Sequence, residues 1–177
     1  TGNDEADELL AREPFALLIG FALDQQVPVQ TAFSGPLKLK QRLGTLDPGK
    51  IAATDPARLE EVFREKPAIH RFPGNMAKRV QDLAVVVVAD YGGDAERIWS
   101  EAADGAELRR RIAALPGFGD MKIKAFGAVL AKRFGVEAAR ELDPGHPTLG
   151  DVDSPEALEE YQAKKRAYKA SMRAARS

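Results

Sequence analysis

Hydrophobic positions recur at helical spacing through most of this chain. Residues 4–11 form a short acidic helix. Pro14 opens a second, from Phe15 to about Asp24, in which Phe15, Ala16, Leu17, Leu18, Ile19, Phe21, Ala22 and Leu23 leave no polar face. A helix apolar all round belongs at the centre of a core. It stops at Asp24-Gln25-Gln26-Val27-Pro28, where polar amides follow abruptly. Val29 to Gly44 reads as helix interrupted at Ser34-Gly35-Pro36, and Gly44-Thr45-Leu46-Asp47-Pro48 reads as a turn. Asp55-Pro56 caps another helix, with Leu59, Val62 and Phe63 inward. Beyond a loop at residues 70–74, Val80, Leu83, Ala84, Val87, Val88 and Tyr91 again fall at helical spacing. Val85 to Val88 would also suit a strand, but the flanking Lys, Arg and Gln residues and the length of the segment favour a helix. Trp99 sits on a short helix with core packing as its expected job.

The most structured pattern comes next. Asp104-Gly105-Ala106-Glu107 is a capping box, and Leu108, Ile112 and Leu115 follow at i, i+4, i+7. After Pro116-Gly117-Phe118-Gly119 a second apolar face begins with Ile123, Phe126, Gly127, Leu130 and Phe134. The reading is helix, tight glycine turn, helix. Gly117 and Gly119 leave the backbone bare, so the free N–H groups of the second helix point outward beside Lys122 and Lys124 and suit a phosphate. An ordinary helical hairpin shares this local pattern. Ser154-Pro155-Glu156 opens the last helix, with Leu158, Tyr161, Lys165, Tyr168 and Met172 as a narrow seam that packs back on the N-terminal part.

Composition narrows the chemistry. The 177 residues make one domain, or two small lobes sharing a core. There is no cysteine, which removes disulfides, thiol nucleophiles and iron–sulfur clusters, and two histidines are too few for a typical zinc site. No apolar run approaches membrane-spanning length and the first residues do not resemble a signal peptide, so a cytoplasmic protein is expected; the missing initiator Met suggests a trimmed start. With 26 basic against 27 acidic residues the chain is no polycation, but its charge is segregated: acids open it, and Lys164, Lys165, Arg166, Lys169, Arg173 and Arg176 close it.

The words Leu115-Pro116-Gly117-Phe118-Gly119 resemble the hairpin of the helix-hairpin-helix (HhH-GPD) superfamily of base-excision DNA glycosylases. Two further segments are similar to that family in the same order: the apolar helix running into Gln25-Gln26, and Ala77-Lys78-Arg79 at a helix start. The resemblance spans residues 14–146 and implies an all-α, two-lobed HhH-GPD glycosylase-like fold over 1–177. The helical lobe would cover about 30–134, with the hairpin at 105–134, and the second lobe about 1–29 and 135–177. It implies that the hairpin (Gly117, Phe118, Gly119, with Lys122 and Lys124 nearby) grips a DNA phosphate, and that the carbonyls of Ala113, Leu115 and Phe118 hold a monovalent Na+ or K+. Gln26, beside Gln25, would plug the gap left by a flipped nucleotide. Asp24 stands where relatives often carry Ser or Gly.

By the same resemblance Asp143, in Leu-Asp-Pro-Gly, is the carboxylate that acts on the sugar, with Asp151 and Asp153 as substitutes; as residue types alone, all three also read as turn or cap residues. Bifunctional relatives carry a lysine where this chain has Met121, so the expected enzyme is monofunctional, Met121 bordering the base pocket and Lys122 serving as a phosphate or surface residue. His70 reads as a packing histidine. The expected partner is duplex DNA with a damaged or mismatched base, bound by a monomer at the bacterial nucleoid, with no required cofactor. Two other readings stay open: a binder of distorted DNA that does not cut, and a helical protein-interaction module.

Overall fold

The computed structural model describes residues 1–176, and among them every regular element is helical. Asn3 caps α1 (Asp4–Arg12) by accepting the Ala6 amide. The next helix, α2 (Pro14–Leu23), has nine of its ten residues buried, as its unbroken apolar character requires. It is the axle of the fold: α3 (Val29–Leu43) packs along it, and α1 and α6 (Pro73–Tyr91) flank it. The interruption expected at Ser34-Gly35-Pro36 does not occur; α3 runs through Pro36. The missing Pro36 amide is offset by contact, because Gly35 lets Leu23 approach so closely that a Cβ there would lie 2.4 Å from its Cδ1.

Residues 45–48 were expected to be only a turn. They instead deliver a helix, α4 (Pro48–Ala53), with Asp47 accepting the Lys50 amide and Pro48 at the first position. α4 and α5 (Pro56–Arg64) both pack on α6. In α6, Val80, Leu83, Ala84 and Val87 are buried, whereas Val88, expected inward, is exposed with Val85 on the solvent side. The short α7 (Arg97–Ser100) buries Trp99 edge-on against Phe126, 5.7 Å between ring centres.

The hairpin is α8 (Gly105–Ala113), the turn, and α9 (Asp120–Phe134). The Asp104 side chain accepts the Glu107 amide as expected, while Glu107 returns to the Ala103 amide, one residue earlier than a strict capping box. Phe126 of α9 gathers the core: Phe21 lies 5.0 Å away and Phe118 6.1 Å. After Gly135 a 3-10 helix (Glu137–Leu142) returns along α8 and α9, and a second 3-10 turn (Leu149–Asp151) precedes α10 (Pro155–Ala174). The α10 seam is shorter than expected. Leu158 is buried and Tyr161 half-buried, but Tyr168 and Met172 are exposed, as is much of Phe134.

A Cβ at Gly20 would lie 2.5 Å from the ring of Phe33, which is buried edge-on against Phe21 with 5.0 Å between ring centres. Gly20→Ala should therefore destabilise the protein by about 1–3 kcal/mol in urea unfolding.

Candidate nucleic-acid interface

At the buried far end of α2 the Asp24 amide serves the Phe21 oxygen and the Gln25 amide the Leu23 oxygen, and donors from elsewhere in the chain complete the end. Two side chains supply them. His70 Nε2 lies 3.1 Å from the Leu23 oxygen and 3.1 Å from that of Gln25, and its Nδ1 accepts the Phe72 amide at 3.0 Å. That pattern requires a proton on Nε2 and none on Nδ1, a neutral ring; burial also lowers the pKa, followed by the charges of Arg71 and Arg79, against the two carbonyl bonds. His70 is thus a packing and capping histidine, as expected. The second donor is Lys122, whose ammonium reaches the Ala22 oxygen at 3.2 Å.

This overturns the reading of Lys122 as a surface residue. The first turn of α9 sits against the end of α2, and the negative end of a helix attracts an ammonium there. Lys122 is half-buried, and burial, then the charge of Arg79, push its pKa down to about 8 against the pull of Asp24. Lys124, by contrast, is exposed.

With α2 so anchored, Gln25 and Gln26 project beside the hairpin. Arg79 of α6 donates to the Gln25 side-chain oxygen and lies across Gly117. A Cβ at Gly117 would fall 2.7 Å from Arg79 Cδ, and φ there is +82°, so both space and backbone conformation select glycine. Gln26 has φ +57°, the sole non-glycine residue with positive φ among those described. A left-handed glutamine at a tip is strained and held there by its surroundings. Gln25, Gln26, Phe72, Asn75, Arg79 and Gly117 line one cleft of about 550 Å³.

The hairpin presents its backbone. Gly119 caps α9 without a side chain, leaving the first amides of the helix without intrahelical acceptors. Phe118 is buried, so its ring anchors the turn and only its backbone is available outside. The Leu115 oxygen accepts the Phe118 amide at 3.3 Å within the turn, a single long bond that leaves it a lone pair for a cation. Ala113 ends α8, and the carbonyls of Ala113, Leu115 and Phe118 fit a monovalent ion in donor type. Met121 is 74% exposed and does not line the cleft.

The three aspartates proposed for chemistry are not gathered with these groups. Asp143 Oδ2 lies 3.6 Å from Lys132 Nζ, and its Oδ1 accepts the Gly145 amide at 3.0 Å. Lys132 also holds Asp151 at 2.7 Å, which, with the Thr148 amide, lowers the Asp151 pKa. Asp153 is exposed. Lys132 is twelve residues along α9 from Asp120, about 18 Å. Neither Asp143 nor Asp24 is among the residues that line the cleft, although Asp24 directly precedes two of them, Gln25 and Gln26.

The residue that sequence reading passed over is Asp24. It is half-buried at the end of α2, its carboxylate has no hydrogen-bond or ion-pair partner among the described residues, and burial raises its pKa against the pull of Lys165 and Lys122. Its signal in the sequence was an acid directly after an apolar helix.

The family model described as HhH-GPD superfamily base excision DNA repair protein matches residues 19–174, so the chain belongs to that family. No curated protein and no solved structure matches it. These 177 residues contain no cysteine and so offer no thiolate to ligate an iron–sulfur cluster. Among the described residues no helix is long and apolar enough to cross a membrane.

The neutral His70 sets a pH dependence. Its folded pKa lies below the ordinary 6.5, so the unfolded chain takes the proton first, and stability is full above that value and lost as pH falls through it. Urea midpoints should decline from about pH 7 to about pH 5.5. His70→Gln should lose that part of the slope and start lower, by roughly 1–3 kcal/mol.

Proposed function

We propose, from membership of this base-excision repair family and the geometry of the α2 end, that the protein is a monofunctional DNA glycosylase. It binds duplex DNA as a monomer, flips one damaged or mismatched base, and hydrolyses the bond between that base and its deoxyribose with an aspartate. The observation that carries the reading is the juxtaposition of a left-handed Gln26 with the glycine hairpin across a single cleft. The backbone amides at the start of α9 bind a phosphate on the strand, with Lys124 adding charge. A monovalent cation held by the carbonyls of Ala113, Leu115 and Phe118 supplies further positive charge there when bound.

Gln26 fills the vacated place in the stack, and its amide offers a donor and an acceptor to the orphaned base. Met121 stands where a nucleophilic lysine would be, and the nearby amine of Lys122 is committed to the Ala22 carbonyl, so the strand stays intact after base release. Such work on chromosomal DNA belongs in the bacterial cytoplasm at the nucleoid. The engagement of Asp143 by Lys132 favours a second reading, a damage binder that does not cut.

Duplexes carrying single uracil, hypoxanthine or alkylated purine residues test this reading. Release of one of these bases, with no strand break and no adduct trapped by borohydride, is the expected outcome. Binding without release from any duplex supports the non-cutting alternative. Duplex affinity should fall steeply with salt, and Gln26→Gly should weaken retention on abasic DNA while leaving stability unchanged or raised by up to about 1 kcal/mol, since glycine relieves the left-handed strain. An affinity indifferent to salt contradicts the DNA reading.

A further inference from the structure

We infer that Asp24, and not Asp143, is the carboxylate that faces the deoxyribose, an inference that rests on the glycosylase reading above. Three observations carry it.

The first is position. Asp24 directly precedes Gln25 and Gln26 and ends the helix whose Ala22 oxygen binds Lys122, in the first turn of α9. It therefore stands where the wedge and the phosphate-binding hairpin meet. A strand held by one and opened by the other brings a flipped sugar past this point. Asp143 follows a 3-10 helix that packs against the middle of α9: a Cβ on Gly127 would be 2.5 Å from that of Leu142.

The second is commitment. Both Asp143 oxygens are engaged, by Lys132 and by the Gly145 amide. The Asp24 carboxylate has neither a hydrogen bond nor an ion pair within 4 Å among the described residues, although Lys122 and Lys165 act on it electrostatically. A half-buried carboxylate without a partner costs stability, and such a cost is tolerated where the group works.

The third is surroundings. Besides Lys122 of α9, Lys165 and Tyr161 of α10 interact with the same acid electrostatically. Gln162 Nε2, 3.3 Å from Gln30 Oε1, ties α10 to α3 beside it. One acid thus lies within electrostatic reach of two ammonium groups, on α9 and α10, and of a phenol on α10. Burial keeps the Asp24 carboxyl above its ordinary range, which suits a group that first stabilises a cation and then accepts a proton.

The step balances without a cofactor. The bond from C1′ to the base nitrogen breaks, and its electron pair leaves with the base. The Asp24 carboxylate stabilises the positive charge left on the sugar. A water oxygen bonds to C1′ and gives one proton to Asp24, which returns it through solvent to the departing base. Water and the nucleotide become an abasic sugar and a free base.

The test does not need the natural lesion. Two duplexes are compared, one with an uncharged tetrahydrofuran abasic analogue and one with a pyrrolidine analogue whose ring nitrogen is cationic. The wild-type protein should bind the pyrrolidine duplex tighter by about tenfold or more, as a carboxylate facing the sugar requires. Asp24→Asn should erase that preference while still binding the tetrahydrofuran duplex, and should unfold at the same temperature or higher. Asp143→Asn should keep the preference. If the preference is absent in wild type, or vanishes in Asp143→Asn and survives in Asp24→Asn, the assignment to Asp24 is overturned while the DNA reading stands. An Asp24→Asn protein that unfolds earlier and loses both duplexes also overturns it, in favour of a structural acid. Failure of the wild type to bind either duplex sinks the DNA reading itself.

Discussion

The buried C-terminus of α2 governs this structure. A helix apolar on every side must lie inside, yet its last carbonyls still need hydrogen-bond donors. Adjacent amides serve Phe21 and Leu23, and two distant segments add the rest: His70, from the loop before α6, reaches Leu23 and Gln25, and Lys122, from α9, serves Ala22. One local requirement thus pins three parts of the chain to a common point. That point is where the polar word Asp24-Gln25-Gln26 leaves the core, beside the hairpin turn.

Electrostatics at this junction follow from the same constraint. The chain is nearly neutral overall, so any attraction for a polyanion has to be local. Arg79 and Lys122 stand close enough for their charges to repel, and Asp24 compensates only in part. The outcome is a small region of mixed, poorly solvated charge next to bare backbone amides. Such a region is costly in an isolated protein, and on the proposed function a phosphodiester and a developing sugar cation would offset that cost, each bringing the counter-charge that one side lacks.

Much of the fold was legible because its signals are local. The Asp104 cap, the Pro-Gly-Phe-Gly turn and the all-apolar run of α2 each sit within a few residues, and each formed the element expected, Glu107 closing on the Ala103 amide and not on that of Asp104. The helix at Pro48–Ala53 had a local signal too, Asp47 before Pro48, which the word read as a turn hid. What stayed hidden depends on distant partners. That Lys122 turns inward follows from the docking of α9 on α2, a contact between residues a hundred positions apart. That Asp143 is held by Lys132 follows from how the 3-10 helix folds back on α9, which no spacing rule encodes. The lone state of Asp24 is likewise a property of the packed junction. A motif names residue types, but the partners that occupy or release them are tertiary.

The account depends on a hairpin amide cluster and a strained glutamine acting on the same strand. A crystal structure of the protein bound to a duplex with an uncharged abasic analogue tests this most directly. The account predicts a phosphate oxygen against the amides that begin α9 and the Gln26 side chain inside the stack opposite the orphaned base. DNA seated on another face, with Gln26 left in solvent, would contradict it.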